Sequence, residues 1–241
     1  MERSECRKTI LVVGGSRGIG RFLADELRHE YNISVCGRHI EPINIDGFLS
    51  TRCNVRNSIE RSWLIKATLK KYGRIDAIIY CAGLFPYDSI IDAKESDLNE
   101  LYEVMVRGYM FLCQEVIPIM KEQGNGHIIN IGSIRGLTVT PNKCAYSAMK
   151  RAAISVTESM QIEYGKYGIK ATSIHPTTVD TESSRNRYGG KFNHLNLVKE
   201  EDILGAVDYL LSLSKKAIVE SIFLDGINEQ DKDNPQVRPS V

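Results

Sequence analysis

The sequence predicts an α/β fold, a parallel sheet of seven strands covered by helices on both faces. Short apolar runs rich in β-branched residues alternate along the chain with longer segments whose apolar residues have helical spacing. Strands that read as continuous apolar runs are typical of parallel sheets buried on both faces. The 241 residues contain no internal repeat and no linker-like stretch. We therefore expect a single domain over residues 1–241, with a core from about residue 9 to 226.

The predicted strands and helices largely alternate along the chain. The strands are the runs TILVV (9–13), ISVCG (33–37), FLSTRCNV (48–55), IDAIIYCAG (75–83), GNGHIINIGS (124–133, with a leading turn), IKATSIHP (169–176) and ESIFLDG (220–226). Helices are predicted over 21–31, 58–73, a region ending near 123, 144–160 and 200–213. Only RHIEPINIDG separates the second and third strands, so we expect thin helical cover there. Residues 227–241 should form a loose tail.

Composition narrows the class of protein. Thirty-one basic and 30 acidic residues are mixed throughout, which argues against a nucleic-acid partner. No apolar segment approaches the roughly 18 residues that a membrane span needs. The six cysteines are spread singly, without metal-ligand spacing, so we expect reduced thiols and no metal site. The first eight residues are polar and unlike a signal peptide, so a cytoplasmic location is expected.

The predicted helix 144–160, CAYSAMKRAAISVTESM, carries the first chemical signal. Tyr146 and Lys150 are four residues apart and therefore project from one face. A phenol titrates near ~10, and a neighbouring ammonium lowers that pKa, which gives a proton donor and acceptor usable near neutral pH. Ser133 ends the apolar run before this helix, so its hydroxyl would be available at the end of the predicted strand. Because Tyr–Lys pairs with this spacing also occur in ordinary amphipathic helices, the pair alone does not establish a site.

The stretch GGSRGIG (14–20) carries the second signal. Gly14, Gly18 and Gly20 lie directly after the first strand and directly before the first helix. Glycines in this position permit a tight turn and a close approach of the backbone to a pyrophosphate, which the helix N-terminus attracts. Glycine-rich turns are common in proteins, so the glycine pattern alone is weak evidence. The strand–turn–helix context together with the Tyr–Lys helix nevertheless favours dinucleotide binding.

The end of the second strand indicates which dinucleotide. An enzyme that selects NAD places an acidic residue there to hold the ribose 2′-hydroxyl. This chain has Gly37 followed by Arg38, with Arg17 inside the glycine loop. Two guanidinium groups suit a 2′-phosphate, although they could also be two solvated arginines. The sequence therefore favours NADP(H) over NAD(H).

The chain resembles the short-chain dehydrogenase/reductase family from about residue 9 to 226. The resemblance rests on six blocks in the family's order: GGSRGIG (14–20), CAG (81–83), INIGSIRG (129–136), YSAMK (146–150), IHPTTVDT (174–181) and LDG (224–226). It implies a Rossmann-type, doubly wound fold, a nicotinamide cofactor, and hydride transfer between a carbonyl and an alcohol. Within the family the chain is most similar to reductases of carbonyls and 3-oxoacyl thioesters.

The resemblance also implies roles for individual residues. Tyr146 would exchange the proton at the substrate oxygen, Lys150 would lower its pKa and bind the nicotinamide ribose, and Ser133 would orient the carbonyl. Cofactor contacts are expected from Gly14, Ser16, Arg17, Gly18, Ile19, Gly20, Arg38, Asn54, Val55, Ala82, Gly83, Tyr146, Lys150, Pro176, Val179 and Thr181.

The chain departs from the family pattern at several positions, and the loss of one catalytic residue leaves two functions open. Cys81 replaces the Asn of an Asn-Ala-Gly turn, and Asn54 replaces an acidic residue near the adenine. Met105, three residues before Gly108, occupies the place of a catalytic Asn that helps to hold a proton-relay water. The first function is an active NADP(H)-dependent carbonyl reductase. The second is a cofactor-binding protein with a degraded site, acting as a sensor or structural subunit; retention of the Ser, Tyr and Lys favours the enzyme.

Two further expectations concern the substrate and the assembly. The polar connection 181–199 lies where this fold closes a lid, and it is rich in cations, namely Arg185, Arg187, Lys191, His194 and Lys199. These charges would attract an anionic carbonyl substrate, or they simply keep a solvated loop soluble. Family habit suggests a homotetramer or homodimer packed partly through the Tyr–Lys helix and the helix before it.

Overall fold

The computed structural model describes residues 7–86, 89–189 and 197–226, and within them eight strands form one sheet. The strands are β1 (Thr9–Val13), β2 (Asn32–Gly37), β3 (Ile43–Ile45), β4 (Phe48–Arg52), β5 (Ala77–Tyr80), β6 (Gly126–Ile131), β7 (Ile169–Pro176) and β8 (Ser221–Leu224). Their order across the sheet is β3-β4-β2-β1-β5-β6-β7-β8, and every neighbouring pair is parallel except β3 with β4. The predicted doubly wound α/β fold is confirmed; the predicted tail 227–241 lies outside the described residues.

The predicted count of seven strands is wrong, because the short connection after β2 contains the edge strand β3. Ten residues are too few for a covering helix, and the chain instead folds back as a hairpin antiparallel to β4. Asp46 and Gly47 form its two-residue turn, with Gly47 in the left-handed region at φ 68°. An Asp-Gly pair between two strands is a strong hairpin signal, and it could have revealed β3. The exposure of Ile43 and Ile45 agrees with an edge strand that helices do not cover.

Helices cover both faces of the sheet, as predicted. They are α1 (Gly18–Leu27), α2 (Ser58–Tyr72), α3 (Glu95–Tyr102), α4 (Gly108–Gln123), α5 (Cys144–Tyr164), α6 (Glu182–Tyr188) and α7 (Glu200–Ser212). One apolar core is formed with α2, α4 and α5, through residues such as Leu64, Leu112 and Ala153. The core on the other face is formed with α1 and α7, through Leu23 and Val207. Across the helices of the described residues, none combines the length and the apolar character that crossing a bilayer would require.

Local chemistry explains where two of these helices begin and end. The Asn57 side chain accepts hydrogen bonds from the first backbone N–H groups of α2, and Gly73 ends that helix in the left-handed conformation at φ 73°. Helix α1 spans 18–27 rather than the predicted 21–31, because it starts inside the glycine run. Its first N–H groups therefore face the end of β1, where a ligand could reach them.

Candidate active site

The candidate site lies at the carboxyl edge of the sheet, where β1 and β5 are neighbours. From β1 the chain builds β2, β3 and β4 on one side and β5 to β8 on the other, so a crevice opens between β1 and β5. Gly14 follows β1 with φ 92°, and a β-carbon there would lie 2.6 Å from the backbone nitrogen of Ala82, which follows β5. Glycine is required at this close approach. The structure thus brings the glycine loop and the Ala82–Gly83 turn together.

The glycine loop leaves the N-terminus of α1 open to an anion. Arg17 precedes α1 in an extended conformation, and within this described segment no side chain caps the first N–H groups and no acidic residue lies in the first turn. Thr181, from the connection after β7, lies across the loop: a β-carbon on Gly18 would be 4.0 Å from its Cγ2 atom. Ile19 and Gly20 continue the helix from this point.

The predicted adenine and ribose contacts lie at the ends of β2 and β4. Gly37 packs directly against Ser16, so that a β-carbon at position 37 would overlap the Ser16 side chain. Asn54 uses its Oδ1 atom to accept from the backbone N–H of Arg56 at 3.2 Å, while its own N–H donates to Glu60 at 2.7 Å. Val55, the next residue, is buried. These residues form one end of the crevice.

The two predicted phosphate-binding arginines differ in their surroundings. Arg17 is exposed at the start of α1. Arg38 follows β2, and its guanidinium donates to Glu100 of α3 at 3.2 Å. This ion pair spans 62 residues of sequence, and no local pattern indicates it.

Lys150 is a buried group whose pKa is strongly perturbed. Its side chain is only 6% exposed, and its ammonium donates to the backbone oxygen of Ile131, the last residue of β6, at 2.7 Å. Burial lowers the pKa of Lys150 to about 8, against a weaker opposing effect of the Cys81 thiol. Burial raises the pKa of Cys81 to about 12. Lys150 therefore lies within reach of neutral pH as a proton carrier.

Two ammonium groups lie near the ring of Tyr146. Its ring centroid is 5.9 Å from Nζ of Lys150 and 5.8 Å from Nζ of Lys143, and its residue is 7% exposed. The ring of Phe85, in the loop after β5, lies 5.6 Å away. Our sequence analysis did not include Lys143 or Phe85. The spacing of three between Lys143 and Tyr146 is a signal that could have identified Lys143.

Ser133 lies two residues beyond β6, next to the strand end that binds Lys150. Its hydroxyl oxygen accepts from the backbone N–H of Arg135 at 3.1 Å and so begins a 3₁₀ turn over Ile134–Gly136. His175, one residue before Pro176, is a buried group that the sequence analysis assigned no role. Burial and, second, the nearby Lys150 lower the pKa of His175 to about 4, so this imidazole is neutral at physiological pH.

Met105 lies in a π-helical turn, Glu103–Arg107, between α3 and α4. The Tyr80 hydroxyl donates to the backbone oxygen of Val104 at 2.5 Å beside it, and Met105 is 2% exposed. Single π turns are frequent at functional sites, but a thioether cannot replace an amide as a donor to water. The structure thus places an apolar, buried side chain where the family pattern has Asn.

The predicted lid is described only in part. Val179 forms a β-bridge with Val198, and Thr181 caps α6 by accepting from the backbone N–H of Ser184 at 3.2 Å. Arg185 donates to Asp180 at 2.6 Å, so this cation is already paired. Lys199, another predicted lid cation, lies at the start of α7. The other three have side chains outside the described residues; they are Arg187, Lys191 and His194.

Comparisons with known proteins agree with this geometry. The family model described as short chain dehydrogenase matches residues 8–190. An uncharacterised oxidoreductase of Staphylococcus aureus strain USA300 is 33% identical over 225 residues, which cover 89% of this chain and 95% of that protein. The structure titled ElxO with NADP bound has a TM-score of 0.83 at 22% identity, covering 91% of this chain and 98% of its own. The closed form of serine dehydrogenase complexed with NADP⁺ has a TM-score of 0.81 at 20% identity, with coverages of 90% and 94%.

Proposed function

Because the chain belongs to the short-chain dehydrogenase/reductase family, we propose that it is an NADP(H)-dependent reductase of carbonyl compounds. The observation that carries the proposal is the pair of Tyr146 and Lys150, one helical turn apart, with the Lys150 pKa lowered to about 8 by burial. A buried amine whose pKa is strongly lowered is typical of functional sites. The two structural neighbours titled with NADP support this choice of cofactor.

The residues of the crevice fit a nicotinamide dinucleotide. The open N-terminus of α1 would hold the pyrophosphate, and Arg38 would hold a 2′-phosphate. A β-carbon on Gly83 would meet nothing within 4 Å, which leaves space for a flat ring beside the end of β5. When bound, the cofactor supplies or accepts the hydride.

The chain's own residues manage the proton and the orientation of the substrate. In the reductive direction the Tyr146 hydroxyl gives its proton to the substrate oxygen, and the Lys150 ammonium stabilises the phenolate that remains. The Ser133 oxygen accepts from a backbone N–H, which leaves its hydroxyl proton available to donate to the substrate carbonyl. In the oxidative direction the Tyr146 phenolate, stabilised by the Lys150 ammonium, takes the proton back.

The test is oxidation of NADPH, followed by absorbance, with a panel of ketones, diketones and 3-oxoacyl thioesters that includes matched neutral and anionic members. We expect turnover of at least one class. The buried Met105 favours the second candidate, a cofactor-binding protein with a degraded site. That candidate is supported instead if NADPH binds tightly and no carbonyl in the panel is reduced.

Arg38→Ala is expected to weaken NADPH binding by about 10- to 100-fold and to leave NADH binding within about twofold. The loss corresponds to a hydrogen bond to a charged group. Dissociation constants measured by nicotinamide fluorescence test this, with Arg28→Ala, an exposed arginine after α1, as the control. Equal affinity of the parent protein for NADPH and NADH would contradict the proposed cofactor preference.

We also propose that the chain forms a homodimer through α4 and α5. A groove of about 990 Å³ lies between these helices and is lined largely by apolar side chains, among them Val106, Met110, Phe111, Ile117 and Met160. Met110 is 43% exposed within this groove, and a contiguous apolar surface of this kind is typical of a site that a partner protein covers. Sedimentation should show a dimer or tetramer for the parent and a smaller species for Met110→Glu. A monomeric parent would contradict the assembly.

A further inference from the structure

A cluster of alternating charges lies at the ribose end of the crevice. Arg38 follows β2, Arg56 follows the Asn54–Val55 pair, and Glu100 and Glu103 extend from α3 and the π turn. One oxygen of Glu100, Oε1, lies 3.2 Å from the Arg38 guanidinium and 3.6 Å from that of Arg56. A single negatively charged oxygen is therefore held between two guanidinium groups.

We infer that Glu100 is a specificity-determining residue that competes with the cofactor's 2′-phosphate for Arg38. This inference rests on the proposed function, because it concerns the phosphate that distinguishes NADPH from NADH. A phosphomonoester is an anion with oxygen acceptors, like the carboxylate, and guanidinium groups bind both in the same way. The Glu100 carboxylate thus occupies the position proposed for the 2′-phosphate. The charged groups of this position are in place before the cofactor binds.

The exposure of the pair allows this exchange. The Arg38 side chain is 42% exposed and that of Glu100 is 37% exposed, and ion pairs in such surroundings contribute little net stability. The cofactor can displace the carboxylate at small cost, but Glu100 then lies close to a phosphate that carries about two negative charges. Their repulsion weakens the binding of NADPH and does not affect NADH, which has a hydroxyl at that position.

Glu103 provides a matched control for Glu100. It carries the same charge in the same cluster, 3.5 Å from Arg56 and 3.7 Å from Arg107, and it makes no recorded ion pair with Arg38 among the described residues. A general change in the local potential would be similar for both glutamates. Competition for Arg38 would be specific to Glu100.

The experiment measures dissociation constants for NADPH and NADH by nicotinamide fluorescence. The proteins compared are the parent, Glu100→Gln, Glu103→Gln, Arg38→Ala and a double variant that combines Arg38→Ala with Glu100→Gln. We expect Glu100→Gln to tighten NADPH binding by about tenfold at low salt, with NADH unchanged. This gain in affinity should shrink at about 0.5 M NaCl, and in the Arg38→Ala background only the smaller part that comes from direct repulsion of the phosphate by Glu100 should remain. Glu103→Gln should change the NADPH constant by less than about threefold.

Several results would overturn the inference. Weaker NADPH binding in Glu100→Gln would mean that the carboxylate orients Arg38 for the phosphate, and equal tightening of both cofactors would exclude competition at the 2′ position. An equal gain in NADPH affinity from Glu103→Gln would mean that the effect is a general change in the local electrostatic potential and not competition for Arg38. If Arg38→Ala leaves NADPH binding intact, Arg38 does not hold the 2′-phosphate and the inference fails, whereas equal affinity of the parent for NADPH and NADH would mean that the proposed cofactor preference itself fails. If Arg38→Ala weakens binding while Glu100→Gln changes nothing, only this inference fails. Thermal unfolding without cofactor verifies that each variant is folded.

Discussion

Replacing Tyr146 by Phe is expected to lower turnover by about 10²–10⁴-fold, the usual range for loss of a general acid. The ring, its burial and its contact with Phe85 are retained, and only the hydroxyl is removed. Because this hydroxyl is only one of many expected cofactor contacts, NADPH affinity should stay within a fewfold of the parent's. The measurement is kcat for reduction of the best carbonyl from the panel, together with the dissociation constant for NADPH.

Tyr209→Phe is the matched control for this prediction. Tyr209 lies on α7 and is 52% exposed, so the same chemical change occurs away from the crevice. Its turnover should equal that of the parent. A Tyr146→Phe variant that retains more than about a tenth of the parent's turnover would show that another group delivers the proton.

Lys150→Met is expected to lower turnover by about 10²–10³-fold, because it removes the charge that stabilises the phenolate in a buried site. The same change should alter the pH dependence of stability. The pKa of Lys150 is lowered from 10.5 to about 8 in the folded protein, so the unfolded chain holds this proton more tightly. The free energy of unfolding should therefore rise with pH between about 8 and 10.5, by up to ~3 kcal/mol from this group.

Urea unfolding at several pH values measures this second effect as a difference between the parent and Lys150→Met. The difference cancels the titration of other groups in the same pH range. Lys66→Met, an exposed lysine on α2, serves as the control and should show the parent's pH dependence. If the Met variant gains stability between pH 8 and 10.5 as the parent does, Lys150 keeps an ordinary pKa in the folded protein.

The fold could be predicted from the sequence because its signals are local. Buried parallel strands appear as apolar runs, and the glycines after β1 indicate the tight turn that leads into α1. The edge strand β3 was missed because three exposed residues leave no apolar pattern, although Asp46–Gly47 signalled a hairpin. The π turn at Glu103–Arg107 was also missed, since its sequence is compatible with a continuous helix.

The candidate site was predictable to the extent that strand ends determine it. Gly14, Ala82 and the end of β6 meet because they follow neighbouring parallel strands. The partners that define the electrostatics were not predictable in this way. The contact of Arg38 with Glu100 joins residues 62 positions apart, and the burial that lowers the pKa of Lys150 depends on how α5 packs on the sheet. Such contacts depend on tertiary packing and not on spacing along the chain.

The packing of Gly37 against Ser16 constrains the order in which this site can change during evolution. An acidic side chain at position 37, the simplest route to recognition of a 2′-hydroxyl, would overlap Ser16, whose backbone nitrogen would lie 3.1 Å from the new β-carbon. Either the Ser16 hydroxyl must rotate away or a smaller residue must replace Ser16, and that replacement by itself offers no acidic group for the new cofactor. The two substitutions are epistatic, since neighbouring residues in contact do not act additively. A lineage with this glycine loop thereby meets a mutational barrier to recognition of a 2′-hydroxyl, in addition to any difference in binding affinity.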